Sequence, residues 1–487
     1  MRATLTLLLG LLFLNSGWGQ QATLKSPEGL DIDIDAKAMA LAVDTWEHQV
    51  SMEPETSWDA ENIIASRSNA ALIRSMRNGD WNDAATWSCG CIPQMTDNVV
   101  VEHRISVAEG DEALALNLVI EVGGQLTDAG MSTLQLGAGL ACAGSALLDN
   151  SLLLLDGAGS HVVSGQTLFD QVTVANGASL MVHGSLEIQT HLQLDAAFAD
   201  VTGGELRLTQ GDWGRATVER INGGEVRGPV TRELTLVGMP NSAFWTSFDI
   251  TSQFFSIGLE GVTLAQLNDD FPTAGFVGAD ADASGNANIR FHQENGSWIP
   301  FSNVTDTLPV WEGIQVTVPV RETYVTEFTG MLPATDATYD VTATSTGINW
   351  LGNANNSGLD LHKFMEEIAI ENSVKCWNTN ALRWDLFVDG FGTNSNGYVE
   401  PNQVCQIPFD ASQSIPFANG CETTSLERDN LESDVNPLAR LTMGLSNVTG
   451  FSDEALLVVT DSASFGLEFA EDAPNHFGTV DACDLYF

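Results

Sequence analysis

Between residues 97 and 237, short apolar runs end in glycine-containing turns that return at intervals near 20 positions. The turns read Val122-Gly123-Gly124-Gln125-Leu126, Asp156-Gly157-Ala158-Gly159, Asn176-Gly177-Ala178-Ser179-Leu180, Thr202-Gly203-Gly204-Glu205-Leu206 and Asn222-Gly223-Gly224-Glu225-Val226. Gly157 and Gly177 stand 20 apart, and so do Gly203 and Gly223. One strand–turn unit of that length cannot bury its own apolar face. Stacked units can, which makes a parallel β-helix. Glycine suits the corners because it adopts positive φ without steric cost. The interval widens to 26 between Gly177 and Gly203, which predicts an insertion in one coil. A meandering β-sandwich is the competing arrangement, since it also alternates short strands with turns.

The first coil of such a stack has no neighbour and must be covered. Residues Gly79 to His103 supply a cover: Trp81 and Trp87, a Cys89-Gly90-Cys91-Ile92-Pro93 turn, then Asn98 and the β-branched run Val99-Val100-Val101. Cys89 and Cys91 could be half of a metal site, but no second close Cys or His pair completes it, so a structural turn is expected. The chain has seven cysteines, an odd number. Export favours disulfides, and Cys376 with Cys405 is the expected pair because both lie in one strand-rich stretch.

Met1-Arg2, the apolar run Leu5 to Leu14 and the small residues before Gly19 read as a secretory signal peptide. No other window approaches the ~20 apolar residues of a membrane-spanning helix. The net charge of −45, from 64 acidic and 19 basic residues, repels phosphate backbones and argues against nucleic acid as a partner. The expected organisation is a signal peptide (1–19), an acidic leader (20–78), a cap and β-helix (79–237), a β-sandwich module (238–335) and a second β-rich module (336–487). Within the leader, residues 59–77 carry a helix-like pattern. After Val237 the repeat ends, aromatic residues return and strand-like runs alternate with polar turns. A break is expected near Arg321 to Tyr339, and the one short helix within Leu361 to Val374. The fold class expected is all-β: a right-handed parallel β-helix followed by antiparallel β-sandwich modules.

Trp81, Asn82, Asp83, Thr86, Trp87, Pro93, Asp97, Asn98 and Val99, with Gly123 to Thr127 on the first coil, are similar to the opening pattern of the eight-glycine domain. That pattern introduces β-helical modules in large surface proteins exported by the bacterial type IX secretion system. Further on, Thr326 to Gly330, Asn349 to Asp360, Trp377-Asn378, Gly390 to Asn394, Val399 to Gln403, Phe451 to Glu454 and Val480 to Cys483 resemble, in order, the β-rich region preceding the sorting domain of those proteins. Ala354 departs from the proline usual there. The resemblance implies a secreted or outer-surface protein. Since the family continues into a secretion signal, the resemblance implies either a C-terminally truncated chain, which is the favoured expectation, or export by another route.

The residues offer little chemistry. Asp280, Asp282, Ser284, Gly285, Asn286 and Asn288 resemble half of a calcium loop, but position twelve is Phe291 and not a bidentate Glu, so a polar turn is expected and no cofactor is assigned. His161, His183 and His191 could share a β-helix face, while core or exposed positions are the plainer outcome. Arg207, Arg215, Arg220, Arg227 and Arg232 are cationic material for a polysaccharide lyase, though surface pairing with the acidic excess is the plainer role. No residue is assigned as catalytic, cofactor-binding or metal-binding. The chain reads as an exported, non-catalytic, adhesin-like scaffold with polysaccharide or cell-surface components as partners. Trp245, Trp311 and Trp384 are aromatics available for contact, against a plainer role in core packing. A β-helix carbohydrate-active enzyme, lyase or hydrolase, is the alternative.

Overall fold

A computed structural model describes residues 23–25, 31–33 and 70–459, apart from 157–158, 212–213, 239–249, 282–285, 294–296, 320–321, 335–337, 342–347, 369–373, 380–381, 389–390, 393–396, 410–411, 417–421, 424–438 and 447–451. Two units, Met1–Trp58 and Asp59–Phe487, are distinguished. In the first, strands Thr23–Lys25 and Asp31–Asp33 pair antiparallel.

The second unit opens with a parallel β-solenoid of about six turns. Its interior consists of aliphatic ladders, because in-register parallel strands place like positions on one face. Ile73, Val99, Leu118, Leu140, Val163 and Val182 are successive register partners, and all are buried. Leu148, Phe169, Ile188 and Leu208 form a second ladder. The stack begins at Leu72–Arg74, a strand paired with Asn98–Val101, inside the segment whose pattern suggested a helix. Over residues 70–77 tertiary pairing overrides that pattern, and residues 59–69 lie outside the described set. Trp81 and Trp87 cover the open coil, with ring centroids 5.0 Å apart at 70° and the Trp87 indole Nε1 donating to the Trp81 carbonyl at 2.7 Å.

Two kinds of glycine shape the coils. Gly123, Gly177 and Gly223 lie at positive φ and make the corners. Asn176 and Asn222 also have positive φ, and each donates its side-chain amide to an aspartate of the previous coil, Asp156 and Asp195, at 2.6 Å. The expected equivalence of Gly177 and Gly203 fails. The corner above Asn176 is Ala196, an alanine at φ 49, because Ser179 pairs with Phe198. The insertion lies later, at the small antiparallel pair Gln210–Gly211 with Gly214–Arg215, where the register from His191 jumps to Thr217.

A second set, Gly124, Gly144, Gly165, Gly184 and Gly204, runs up the stack at intervals of 19 to 21 positions. A Cβ on Gly144, Gly184 or Gly204 would collide with the carbonyl oxygen of the glycine one coil below, and one on Gly165 with the Cys142 carbonyl. Along this column successive backbones approach too closely to admit a Cβ.

The solenoid ends where Val230–Val237 pairs antiparallel with Thr323–Gly330, in register from Val230↔Gly330 to Val237↔Thr323. Thr323–Gly330, within the stretch where a break is expected, is thus a strand that returns to the solenoid. Val230–Val237 serves two cores: Val230 packs into the solenoid, and Leu234 and Leu236 into the module that follows. That module holds a four-stranded antiparallel sheet of Ile250–Phe255, Ile314–Pro319, Ile289–His292 and Trp298–Pro300, with a short helix at Leu264–Asp270. A five-stranded antiparallel sheet follows: Ile348–Gly352, Val404–Pro408, Val374–Asn378, Arg383–Val388 and Phe391–Gly392. The expected helix occupies Leu361–Glu367, where the Asp360 carboxylate caps it by accepting from the His362 and Lys363 amides.

Disulfides join Cys376 to Cys405, facing each other across paired strands, and Cys89 to Cys91. Cys142 is free and buried, and burial pushes its thiol up to about 11. Cys421 and Cys483 lie outside the described residues.

Candidate functional site

Alternation along the strands turns one set of aromatic rings away from the cores. Phe255 is a core residue, so Phe254 points to the opposite face; Leu351 and Trp350 divide in the same way, and so do Cys376 and Trp377. Cross-strand pairing adds partners: His292 stands opposite Trp298, and Trp377 opposite Trp384. The outcome is one aromatic patch that straddles the four-stranded and five-stranded sheets.

Phe254 lies at its centre. Its ring centroid is 4.9 Å from that of Trp350, 5.2 Å from Trp377, 5.3 Å from Trp384 and 5.7 Å from Trp298. The indoles meet edge to face, with Trp298–Trp350 at 4.7 Å and Trp350–Trp384 at 5.1 Å, the geometry that the ring quadrupole favours. Trp377 and His292 are the floor, at 6% and 4% exposure, while Phe254, Trp298, Trp350 and Trp384 are each partly exposed and form the rim. The Trp377 indole Nε1 donates to the Gln253 side-chain oxygen at 3.0 Å, and the Gln253 amide donates to the Val237 carbonyl. The last strand of the solenoid thereby anchors the floor.

Burial between Trp298 and Trp350 pushes the His292 imidazole down from its ordinary value of 6.5 to about 4. The folded protein thus holds it neutral where the unfolded chain would protonate it. Stability is expected to be independent of this group above pH 6.5 and to fall as the pH drops from 6.5 toward 4. Melting temperatures across that window, compared between the wild type and His292→Phe, isolate it from the carboxylates. Parallel profiles for the two proteins would refute the assignment.

The other candidate residues go elsewhere. Trp311 packs beside Tyr339 with centroids 6.4 Å apart, and Trp245 lies outside the described residues. The three histidines do not share a face. His161 stands in register with core Leu180 and is buried; His183 is partly exposed and stands in register with Ser164. His191 bonds Thr217 Oγ1 at 2.8 Å through Nδ1 and lies 3.5 Å from Glu219 through Nε2. Of the half calcium loop, the Asp280 carboxylate accepts from the Thr273 amide at 3.0 Å, Asn288 holds Ala274 and Pro272, and residues 282–285 lie outside the described set.

Surface pairing accounts for only part of the arginine group. Arg227 pairs with Glu225 and lies over the Phe198 ring. Arg215 and Arg232 are buried, which corrects the expectation of surface roles. Arg232 occupies the core position of the ladder Leu148–Phe169–Ile188–Leu208 on the terminal coil, and Arg220 continues Leu155–Val174–Leu194 in the same way. Four arginines reach across to the following sheets: Arg207 to Glu327, Arg220 to the Pro333 carbonyl, Arg232 to Asn356 and Arg215 to the Pro401 carbonyl and Thr379. Desolvation lowers the affinity of Arg215 and Arg232 for their protons, and their mutual repulsion lowers that of Arg232 further. Both remain guanidinium ions at neutral pH. They form a seam between the solenoid and the elements that follow.

No helix among the described residues is long and apolar enough to cross a membrane. Comparisons with protein-family models, curated proteins and solved structures find no match.

Proposed function

We propose that this chain is an exported, non-catalytic surface scaffold of adhesin-like type that binds polysaccharide through the aromatic patch. The observation that carries this reading is the part-exposed rim of Phe254, Trp298, Trp350 and Trp384 across the four-stranded and five-stranded sheets, the second of which carries the Cys376–Cys405 disulfide. Flat, amphipathic rings contribute large contact area at little entropic cost, and they suit the apolar faces of sugar rings. The charge of −45 opposes acidic polymers, so the ligand class is a neutral polysaccharide. Residues 1–19 read as an export signal, and the ordered motifs resembling type IX surface proteins support an outer-surface address. The enzyme alternative draws less support: of the arginines it would recruit, Arg215 and Arg232 are buried and Arg207 is paired with Glu327.

A panel of neutral and acidic polysaccharides, scored by affinity electrophoresis and for new reducing or unsaturated ends, tests both readings. Trp350→Ala and Trp384→Ala are each expected to weaken binding of a neutral polymer about 30-fold, the effect of losing a ~2 kcal/mol aromatic anchor. Unchanged binding by folded variants would reject the patch. Product formation that disappears in Arg207→Ala or Arg220→Ala would establish the enzyme instead.

A further inference from the structure

The Cys89-Gly90-Cys91 turn plays no part in the proposed binding, and its chemistry is distinct. Its disulfide bridges residues only two apart in sequence, whereas Cys376–Cys405 spans 29. A loop this short removes little freedom from the unfolded chain, so the bond contributes little to holding the fold. Neighbouring contacts hold the turn without it. The Ser88 amide donates to the Arg74 carbonyl at 2.9 Å, the Arg74 amide to Ser88 Oγ at 3.0 Å, and the Gln94 amide to Asp97 at 2.9 Å. Trp87 and Pro93 are buried on either side.

Accessibility separates the two bonds further. Cys89, Gly90 and Cys91 are all exposed, Gly90 sits at φ +64, and no atom lies within 4 Å of where its Cβ would be. Cys376 and Cys405 are buried at 6% and 3% within the core of the five-stranded sheet. Thiol–disulfide exchange requires a thiolate to reach a sulfur, and exposed bonds are the labile ones. The two exposed sulfurs are also not equivalent, because the Cys91 amide donates to Cys89 Sγ at 3.0 Å. A hydrogen bond to sulfur stabilises a thiolate there, which makes Cys89 the better leaving group.

We propose that Cys89–Cys91 is a thiol–disulfide exchange site for an external thiol, attacked at Cys91. The incoming thiolate forms a new S–S bond to Cys91 Sγ as the Cys89–Cys91 bond breaks. Cys89 leaves as a thiolate held by the Cys91 amide and takes a proton from water. A second external thiolate then attacks the outer sulfur of the mixed disulfide, breaking its bond to Cys91 Sγ; Cys91 leaves as a thiolate that takes a proton from water, and the external disulfide is released. The protein bond gains two electrons and the two external thiols lose them. Until that second step the site carries a covalent adduct, a reversible attachment point at the capped end of the solenoid.

The test uses the intact oxidised chain in glutathione redox buffers of increasing reducing strength, without denaturant. Samples are quenched with acid, alkylated and read peptide by peptide by mass spectrometry, with circular dichroism on the same samples. Cys89–Cys91 is expected to open at a thiol concentration at least tenfold below that needed for Cys376–Cys405, with the dichroism unchanged. The trapped intermediate is expected to carry glutathione on Cys91 and the alkyl tag on Cys89. Opening of both disulfides together, or opening only as the dichroism collapses, would overturn the exchange site. An adduct found chiefly on Cys89 would overturn the direction of attack.

Discussion

Gly165→Ala is expected to destabilise the solenoid by about 4 kcal/mol or more, the upper range for single substitutions, and to leave little folded protein. Two independent penalties meet at that position. Its φ of +87 is one an alanine resists, and its Cβ would enter the space held by the Cys142 carbonyl oxygen. That oxygen is backbone in a paired strand, so it cannot swing aside as a side chain would. Gly177→Ala is the matched control. Its φ is +75, but the nearest atom to a new Cβ is the Ala196 carbonyl at 4.0 Å. Only the conformational penalty applies, about 1 kcal/mol. Denaturant midpoints followed by circular dichroism measure both. Equal shifts for the two variants would show that close coil-to-coil approach does not govern the stack.

Glu400→Gln is expected to destabilise the junction between the solenoid and the following sheets by about 3 kcal/mol, as when one partner of a buried ion pair is removed. Glu400 lies 3.9 Å from the Arg215 guanidinium, which has 5% side-chain exposure, and Arg232 is buried beside it. Without the carboxylate, two like charges remain in a low-dielectric seam. The double variant Arg215→Met, Glu400→Gln is expected to recover part of the loss, because it also removes one of the two buried positive charges. Chemical denaturation should resolve the single variant into two transitions, with the sheets separating before the solenoid. A single transition at the wild-type midpoint would refute the role of the seam.

The β-helix was legible because its period is written in glycine, and the tryptophan cover because an exposed first coil needs one. The Cys376–Cys405 pairing was also legible. The corners were read less well: Ala196 adopts a backbone conformation that residue type alone does not announce, so Gly203 was taken for its equivalent. The close-contact column through Gly144, Gly165 and Gly184 is equally periodic, yet nothing in one sequence tells a corner glycine from a stacking one. The arginine seam was hidden for a different reason. Arginine in an acidic chain reads as surface, and only the register, which sets Arg232 above Leu208 and Arg220 above Leu194, puts it at the end of a core ladder. The aromatic patch was half visible. Trp384 was singled out, but its neighbours come from five strands that only folding brings together.

The ladder between Val230–Val237 and Thr323–Gly330 settles how load passes through the chain. In the path of the polypeptide, residues 238–322 are an excursion that begins and ends at the same clasp. Along the covalent path, tension drawn between the solenoid and the C-terminal sheets enters at Val230↔Gly330 and meets the clasp before the backbone of the excursion. The backbone of the inserted module is thereby kept out of the covalent line of force for as long as the eight register pairs stay closed, and load reaches it only through its side-chain contacts with the C-terminal sheet.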